Sequence, residues 1–149
     1  MSKPRITETK VADKNNVVHT ILGGGGGHCK EVCPQCPWRV DQTGAFPAKA
    51  FVHSASTSYD AATNKFSCHM AGTENPKTCA GFLLRGADDN IAVRMGKATG
   101  KIGKVREPSV ELHPSYKAMA IANGVGRRNP ALRDCMPEAR YNYRRHRKP

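Results

Sequence analysis

The chain has 149 residues, of which 38% are hydrophobic and 6% aromatic, a length that suits one domain plus tails. So thin a core calls for a staple such as disulfides, a metal or a partner, and with no run of about 18 apolar residues no transmembrane helix is expected. The net charge of +12 is lopsided, with ten Lys or Arg against eight Asp or Glu in residues 1–93 and fourteen against four in residues 94–149.

Residues 1–22 are polar and weakly patterned, and residues 1–10 lack the apolar stretch of a signal peptide, so a cytoplasmic protein is expected. A short strand is predicted over 16–22 from Val17, Val18, Ile21 and Leu22. Gly23 to Gly27 follow as a flexible linker. A phosphate-binding loop would need Lys-Ser/Thr after its last glycine, and His28 and Cys29 stand there instead. Residues 33–39 read Cys-Pro-Gln-Cys-Pro-Trp-Arg, a constrained turn.

Pro47 fits the first position of a helix whose apolar face is Ala48, Phe51, Val52 and Ala55, fading over 56–59. Residues 65–70 form an extended segment that delivers Cys68. Thr78 is predicted to cap a helix over 79–85, with Phe82 and Leu83 facing the core. Asp88, Asp89 and Asn90 break that helix and cap the next, over 91–98, with Ile91, Val93, Met95 and Ala98 apolar. Gly96 weakens it, and Gly100 and Gly103 end it. After a basic, irregular stretch over 101–113, Pro114 starts a helix over 115–123 that Gly124 closes.

Residues 125–149 carry eight Arg or Lys with Tyr141 and Tyr143 among them, and are expected to be disordered unless bound. The resulting expectation is an α+β fold, mostly helical with short strands. It comprises a polar arm and glycine linker (1–27), a small single domain organised around a four-cysteine metal site (28–124) and a flexible basic C-terminal tail (125–149).

Six cysteines in a reducing compartment favour a metal site over disulfides. Cys33-x2-Cys36 lets two thiolates reach one ion from a single turn, and Cys68 and Cys79 can supply two further corners of a tetrahedron. Zinc and a 4Fe–4S cluster both accept four thiolates. Pro37 counts against a zinc knuckle, which usually has a glycine there whose amide donates to sulfur, and Cys-Pro is common at iron–sulfur clusters. A thioredoxin-like redox pair lacks its βαβ surroundings. Cys29-x3-Cys33-x2-Cys36 matches the triad of radical S-adenosylmethionine enzymes, but the chain is too short for their barrel.

Cys29 and His28 are read as spare or alternative ligands at the linker edge, and Cys135 as a free thiol in the tail. His69 either ligates, donates to a metal-bound sulfur, or is a surface histidine. No paired carboxylates, Ser-His-Asp order or HExxH motif appears, so no catalytic residue is assigned and nothing demands an enzyme.

Five stretches, Cys33-Pro-Gln-Cys-Pro-Trp-Arg-Val-Asp41, Phe46-Pro47, Phe66-Ser-Cys-His-Met70, Thr78-Cys-Ala-Gly-Phe82 and Asn90-Ile-Ala-Val-Arg94, carry a family resemblance. In these, over about residues 33–100 with a weaker echo at 109–123, the chain resembles the DUF6283 family of actinobacteria, other bacteria and their phages, whose function is unknown. The resemblance implies that Cys33, Cys36, Cys68 and Cys79 belong together and that Cys29 and Cys135 are extras. It also implies a phage or mobile-element origin, hence the host cytoplasm. The glycine run and the Arg-rich tail depart from the pattern.

The basic half points to a polyanion or an acidic protein surface as partner, the bland alternative being a solubilising tail. As a nucleic-acid-binding module, the chain would contact phosphates through Arg127, Arg128, Arg140, Arg144, Arg145, Arg147 and Lys148, and stack bases on Tyr141 and Tyr143. Trp38 is expected to pack over the metal site, and Arg39 to pair with Asp41 or balance thiolate charge. Two alternatives stand beside this: an assembly or transcription-machinery-binding protein using the same basic half, and an iron–sulfur redox protein or enzyme.

Overall fold

The computed structural model describes residues 3–23 and 27–135. An antiparallel hairpin of β1 (Arg5–Asp13) and β2 (Asn16–Leu22) precedes four helices: α1 (Ala48–Ser54), α2 (Ala80–Arg85), α3 (Ile91–Thr99) and α4 (Tyr116–Ala122). The whole is a small α+β domain.

β2 follows the predicted strand, whereas β1 is not foreshadowed in the sequence. Its residues are exposed along nearly their whole length, so no alternation of apolar and polar positions marks it. It forms because β2 offers a partner, in a register running from Arg5 opposite Leu22 to Asp13 opposite Asn16. Asp13 organises the turn: its Oδ1 accepts the Asn15 amide at 2.8 Å and Asn16 Nδ2 at 3.0 Å. Those bonds hold the Asp13 carboxyl below the usual range, that of the Asn16 side chain first. The hairpin lies along α1, where His53 Nε2 sits 3.2 Å from the Val11 carbonyl.

The core gathers Trp38, Phe82, Val93, Tyr116, Met119 and Leu132, all essentially without solvent contact. Tyr116 begins α4, which Ser115 caps by accepting the Ala118 amide at 3.0 Å. The buried Tyr116 hydroxyl donates to the Phe51 carbonyl at 2.6 Å and so fastens α4 to α1. Asn90 caps α3 as predicted, its Oδ1 accepting the Val93 amide at 3.0 Å. Gly96 is a packing requirement, since a Cβ there would stand 2.6 Å from Ile102 Cδ1. Ile102 folds back over the helix, its amide 3.0 Å from the Gly96 carbonyl.

Two expectations change. Thr78 does not cap α2; Cys79 occupies that position and no side chain caps it. Packing also does not stop at residue 124. Val125, Leu132 and Cys135, which read in the sequence as tail, are buried in the core, and Tyr59 donates its hydroxyl to the Ala131 carbonyl at 2.6 Å. Cys135 is a free thiol, as expected, but an interior one, and burial pushes it up to about 11. Among the described residues no helix is long and apolar enough to cross a membrane.

Candidate metal centre

Three short extended segments lie side by side under the cysteines, with residues 77–79 in the middle. On one flank, the Thr78 amide donates to the Gly27 carbonyl and the Cys29 amide to the Thr78 carbonyl, both at 2.9 Å. On the other, the Cys68 amide donates to the Lys77 carbonyl at 2.7 Å and the Cys79 amide to the Phe66 carbonyl at 2.9 Å. Thr78 is therefore the central rung of a miniature ladder, its backbone already spent, which is why it cannot start the helix. The ladder fixes Cys29, Cys68 and Cys79 from three separate parts of the chain. The fourth element is the 33–36 turn, closed by the Cys36 amide on the Cys33 carbonyl at 3.2 Å. It is anchored from behind where the His113 amide donates to the Trp38 carbonyl at 2.9 Å.

Five thiols meet on this scaffold. Cys36 Sγ and Cys79 Sγ stand 3.6 Å apart. Electrostatically, Cys68 acts on both Cys29 and Cys33, and Cys33 on Cys36. Cys36, Cys68 and Cys79 are buried, Cys29 and Cys33 half-buried, and all five are free thiols. Two thiolates on one tetrahedral zinc stand about 3.8 Å apart, given Zn–S bonds of about 2.3 Å, so the Cys36–Cys79 separation fits two corners of one ion. It equally fits van der Waals contact between thiols. Among the described residues no three His, Cys, Asp or Glu side chains stand in metal-holding geometry; the sulfurs meet pair by pair.

Backbone amides favour negative charge on these sulfurs. The amides of Trp38 and Gly81 act in this sense on Cys36, that of Gln35 on Cys33 and that of Phe82 on Cys79. Pro37 therefore deprives Cys36 of nothing: the amide concerned belongs to Trp38, two residues on, just as Gln35 is two residues past Cys33. The Cys79 thiol, then the Trp38 and Gly81 amides, hold Cys36 below the usual thiol range against the penalty of burial. The interaction with Cys36, and then burial, drive Cys79 well above it. Burial first, then the neighbouring thiols, raises Cys29 to about 11 and Cys33 to about 12. Cys36 is thus the sulfur on which negative charge is favoured, while Cys29, Cys33 and Cys79 are pushed towards the neutral thiol.

Gly81 is needed for this arrangement. A Cβ there would lie 2.6 Å from Trp38 Cβ and 3.0 Å from Cys36 Sγ. Gly86, past the other end of α2, accepts the far edge of the same indole, where a Cβ would lie 2.4 Å from Trp38 Cη2. Trp38 thus packs beside the cysteines, and Arg39 pairs with Asp41 through bonds of 2.8 and 2.6 Å.

The histidines contribute less. His28 Nδ1 lies 2.9 Å from the Cys29 carbonyl, and its Nε2 accepts the Gly103 amide at 3.1 Å. Both ring nitrogens are engaged, so His28 clamps the ladder instead of offering a lone pair to a metal. His69 is exposed and packs edge-on against Phe46, with centroids 5.1 Å apart.

Two hollows carry positive charge. One is lined by Lys117, Arg127, Arg128, Asn129, Pro130 and Arg133. The other borders Cys29 and includes Lys30, Lys77, Lys104 and Arg106, of which Arg106 is paired with Glu31 at 2.7 Å. Arg140, Tyr141, Tyr143, Arg144, Arg145, Arg147 and Lys148 lie outside the described residues.

A family model described as "Family of unknown function (DUF6283)" matches residues 28–136, and the chain belongs to that family. The matched span takes in all six cysteines. No curated protein and no solved structure matches the chain.

Proposed function

We propose that this chain is a zinc-organised, basic binding protein of the cytoplasm. In this reading Cys33, Cys36, Cys68 and Cys79 hold one Zn2+, and the basic half contacts nucleic acid. The observation that carries the metal reading is the convergence of thiols from four chain segments onto one ladder and turn, where Cys36 and Cys79 stand 3.6 Å apart and backbone amides favour negative charge on Cys33, Cys36 and Cys79. Amides that donate to sulfur stabilise thiolate, the form that binds metal.

The 3.6 Å separation of Cys36 and Cys79 favours a single ion over the 4Fe–4S alternative. In such a cluster each thiolate binds a different iron, which sets the sulfurs much farther apart. Bound zinc would also supply the staple that this thin core calls for.

Support for nucleic acid comes from charge. Lys117, Arg127, Arg128 and Arg133 line one hollow, and Asp134 is the one acid paired there among the described residues, 4.0 Å from Arg133 Nε. Nothing in the site calls for catalysis.

Metal analysis together with an absorbance spectrum of anaerobically purified protein tests the metal reading. One zinc per chain and a colourless protein are expected. A brown protein with iron and sulfide would replace zinc with the cluster. For nucleic acid, binding should weaken steeply as salt is raised; salt-independent binding to a protein partner would favour the assembly alternative.

A further inference from the structure

We infer that the hollow between α4 and residues 127–133 is a phosphate-binding site, built from Lys117, Arg127, Arg128, Asn129 and Arg133. This deepens the nucleic-acid reading above and rests on it for the source of the phosphates. That source is either the backbone of a nucleic acid or a free polyphosphate chain.

Four cations line one open hollow of about 290 Å³, the volume of roughly ten waters. No carboxylate lines it. Among the described residues Lys117, Arg127 and Arg128 form no ion pair. Arg133 has Asp134 at 4.0 Å, both exposed, and such a pair is worth little in water. Four like charges gathered in one concavity repel one another, and an anion seated among them removes that repulsion.

Hydrogen bonding points to the same chemistry. Lysine and arginine side chains are donors only. Asn129 has one acceptor, Oδ1, and it is spent on the Ala131 amide at 2.9 Å. Its Nδ2 bonds to nothing among the described residues. The carbonyls of Gly126, Asn129 and Pro130 are also spent, on the amides of Asn129, Leu132 and Arg133. The side chains around the hollow thus offer donors alone, which suits a fully ionised oxyanion. Guanidinium groups match phosphate oxygens two at a time. A carboxylate would bring one charge to this hollow, whereas neighbouring phosphates bring several.

The site is already built. Leu132 and Cys135 are buried, and Tyr59 holds the Ala131 carbonyl. The Val125 amide returns to the Ala120 carbonyl of α4 at 3.0 Å. Little backbone ordering is therefore needed on binding. All five residues fall within the span that the family model matches, so the site belongs to the domain and not to the Arg-rich tail.

Two probes of the full chain at one fixed salt concentration test the inference: tripolyphosphate by calorimetry and a mixed-sequence oligonucleotide by fluorescence anisotropy. Arg128→Gln with Arg133→Gln, both at exposed positions, should weaken each by about tenfold or more, the worth of one charge-assisted hydrogen bond. Tripolyphosphate should also displace the oligonucleotide. Lys10→Gln with Lys14→Gln removes the same charge from the exposed hairpin and should change neither; equal weakening by the two pairs would overturn the site in favour of diffuse charge. If the oligonucleotide binds and the hollow variant leaves it unchanged, the site fails and the nucleic-acid reading stands. If tripolyphosphate binds in the hollow and the oligonucleotide does not bind, the site stands and that reading fails. A polyglutamate of equal charge that binds the hollow as tightly would overturn phosphate in favour of an acidic protein, and binding of neither probe would overturn both readings.

Discussion

Trp38 packs so closely against Gly81 that a Cβ at residue 81 would stand 2.6 Å from Trp38 Cβ and 3.0 Å from the sulfur of Cys36. The amide of the same glycine favours negative charge on that sulfur. Gly81→Ala should therefore cost at least about 1–3 kcal/mol through overpacking and weaken metal binding at the same time. Gly100→Ala is the control. Its φ is 81°, but its Cβ would meet nothing within 4 Å. That change should cost about 1–2 kcal/mol of left-handed strain and leave metal affinity unchanged. Urea unfolding and chelator competition on both variants separate the two effects.

Asn90 joins more partners than an ordinary cap. Besides the Val93 amide, its Nδ2 donates to the carbonyls of Thr57 at 3.1 Å and Asn64 at 2.7 Å, in a nearly solvent-free site. Asn90→Ala removes a cap of about 0.5–2 kcal/mol and strands two carbonyls, each at a cost of about 1–3 kcal/mol if left unpaired. It should destabilise the domain clearly more than Ser115→Ala, whose side chain caps α4 alone. Equal losses in urea unfolding would show that the buried amide bonds contribute little.

His113 gives a prediction in pH. Burial holds its imidazole below the ordinary histidine value, partly offset by Glu111, and Nε2 lies 3.2 Å from Thr43 Oγ1. The folded state thus prefers the neutral ring. Its contribution is fully present above the unfolded value of about 6.5 and is lost as pH falls through that value towards the lower folded one. Between pH 7 and 5 the natural chain should lose stability more steeply than His113→Gln, as measured by urea unfolding at fixed zinc. Parallel profiles would contradict this.

Removing residues 139–149 deletes Arg140, Arg144, Arg145, Arg147 and Lys148. If these pair with phosphates, the dependence of log K on log salt should flatten by about 0.7–0.9 for each phosphate no longer neutralised. Arg127→Glu with Arg128→Glu should weaken binding further. An unchanged slope after truncation would take the tail out of the interface.

Much of the fold is legible in the sequence where signals are local. Asn90, Gly100 and Gly124 mark helix ends by capping chemistry, and α3 and α4 fall close to the expected bounds. The features that escape the sequence depend on partners distant along the chain. β1 carries no apolar alternation, because it is exposed on both faces. Thr78 has the chemistry of a cap, but its backbone is committed to Gly27 and Cys29. Residues 125–135 read as tail because Val125, Leu132 and Cys135 are buried among exposed arginines. The family resemblance leaves Cys29 an extra, and only the pairing of residue 28 with residue 78 brings its backbone onto the ladder beside the segment that carries Cys79.

Native mass spectrometry of the full chain, purified under reducing conditions, tests the central claim most directly. The account predicts a folded species carrying one zinc, with zinc and the cooperative thermal transition lost together on chelation. A metal-free chain that still unfolds cooperatively would contradict it.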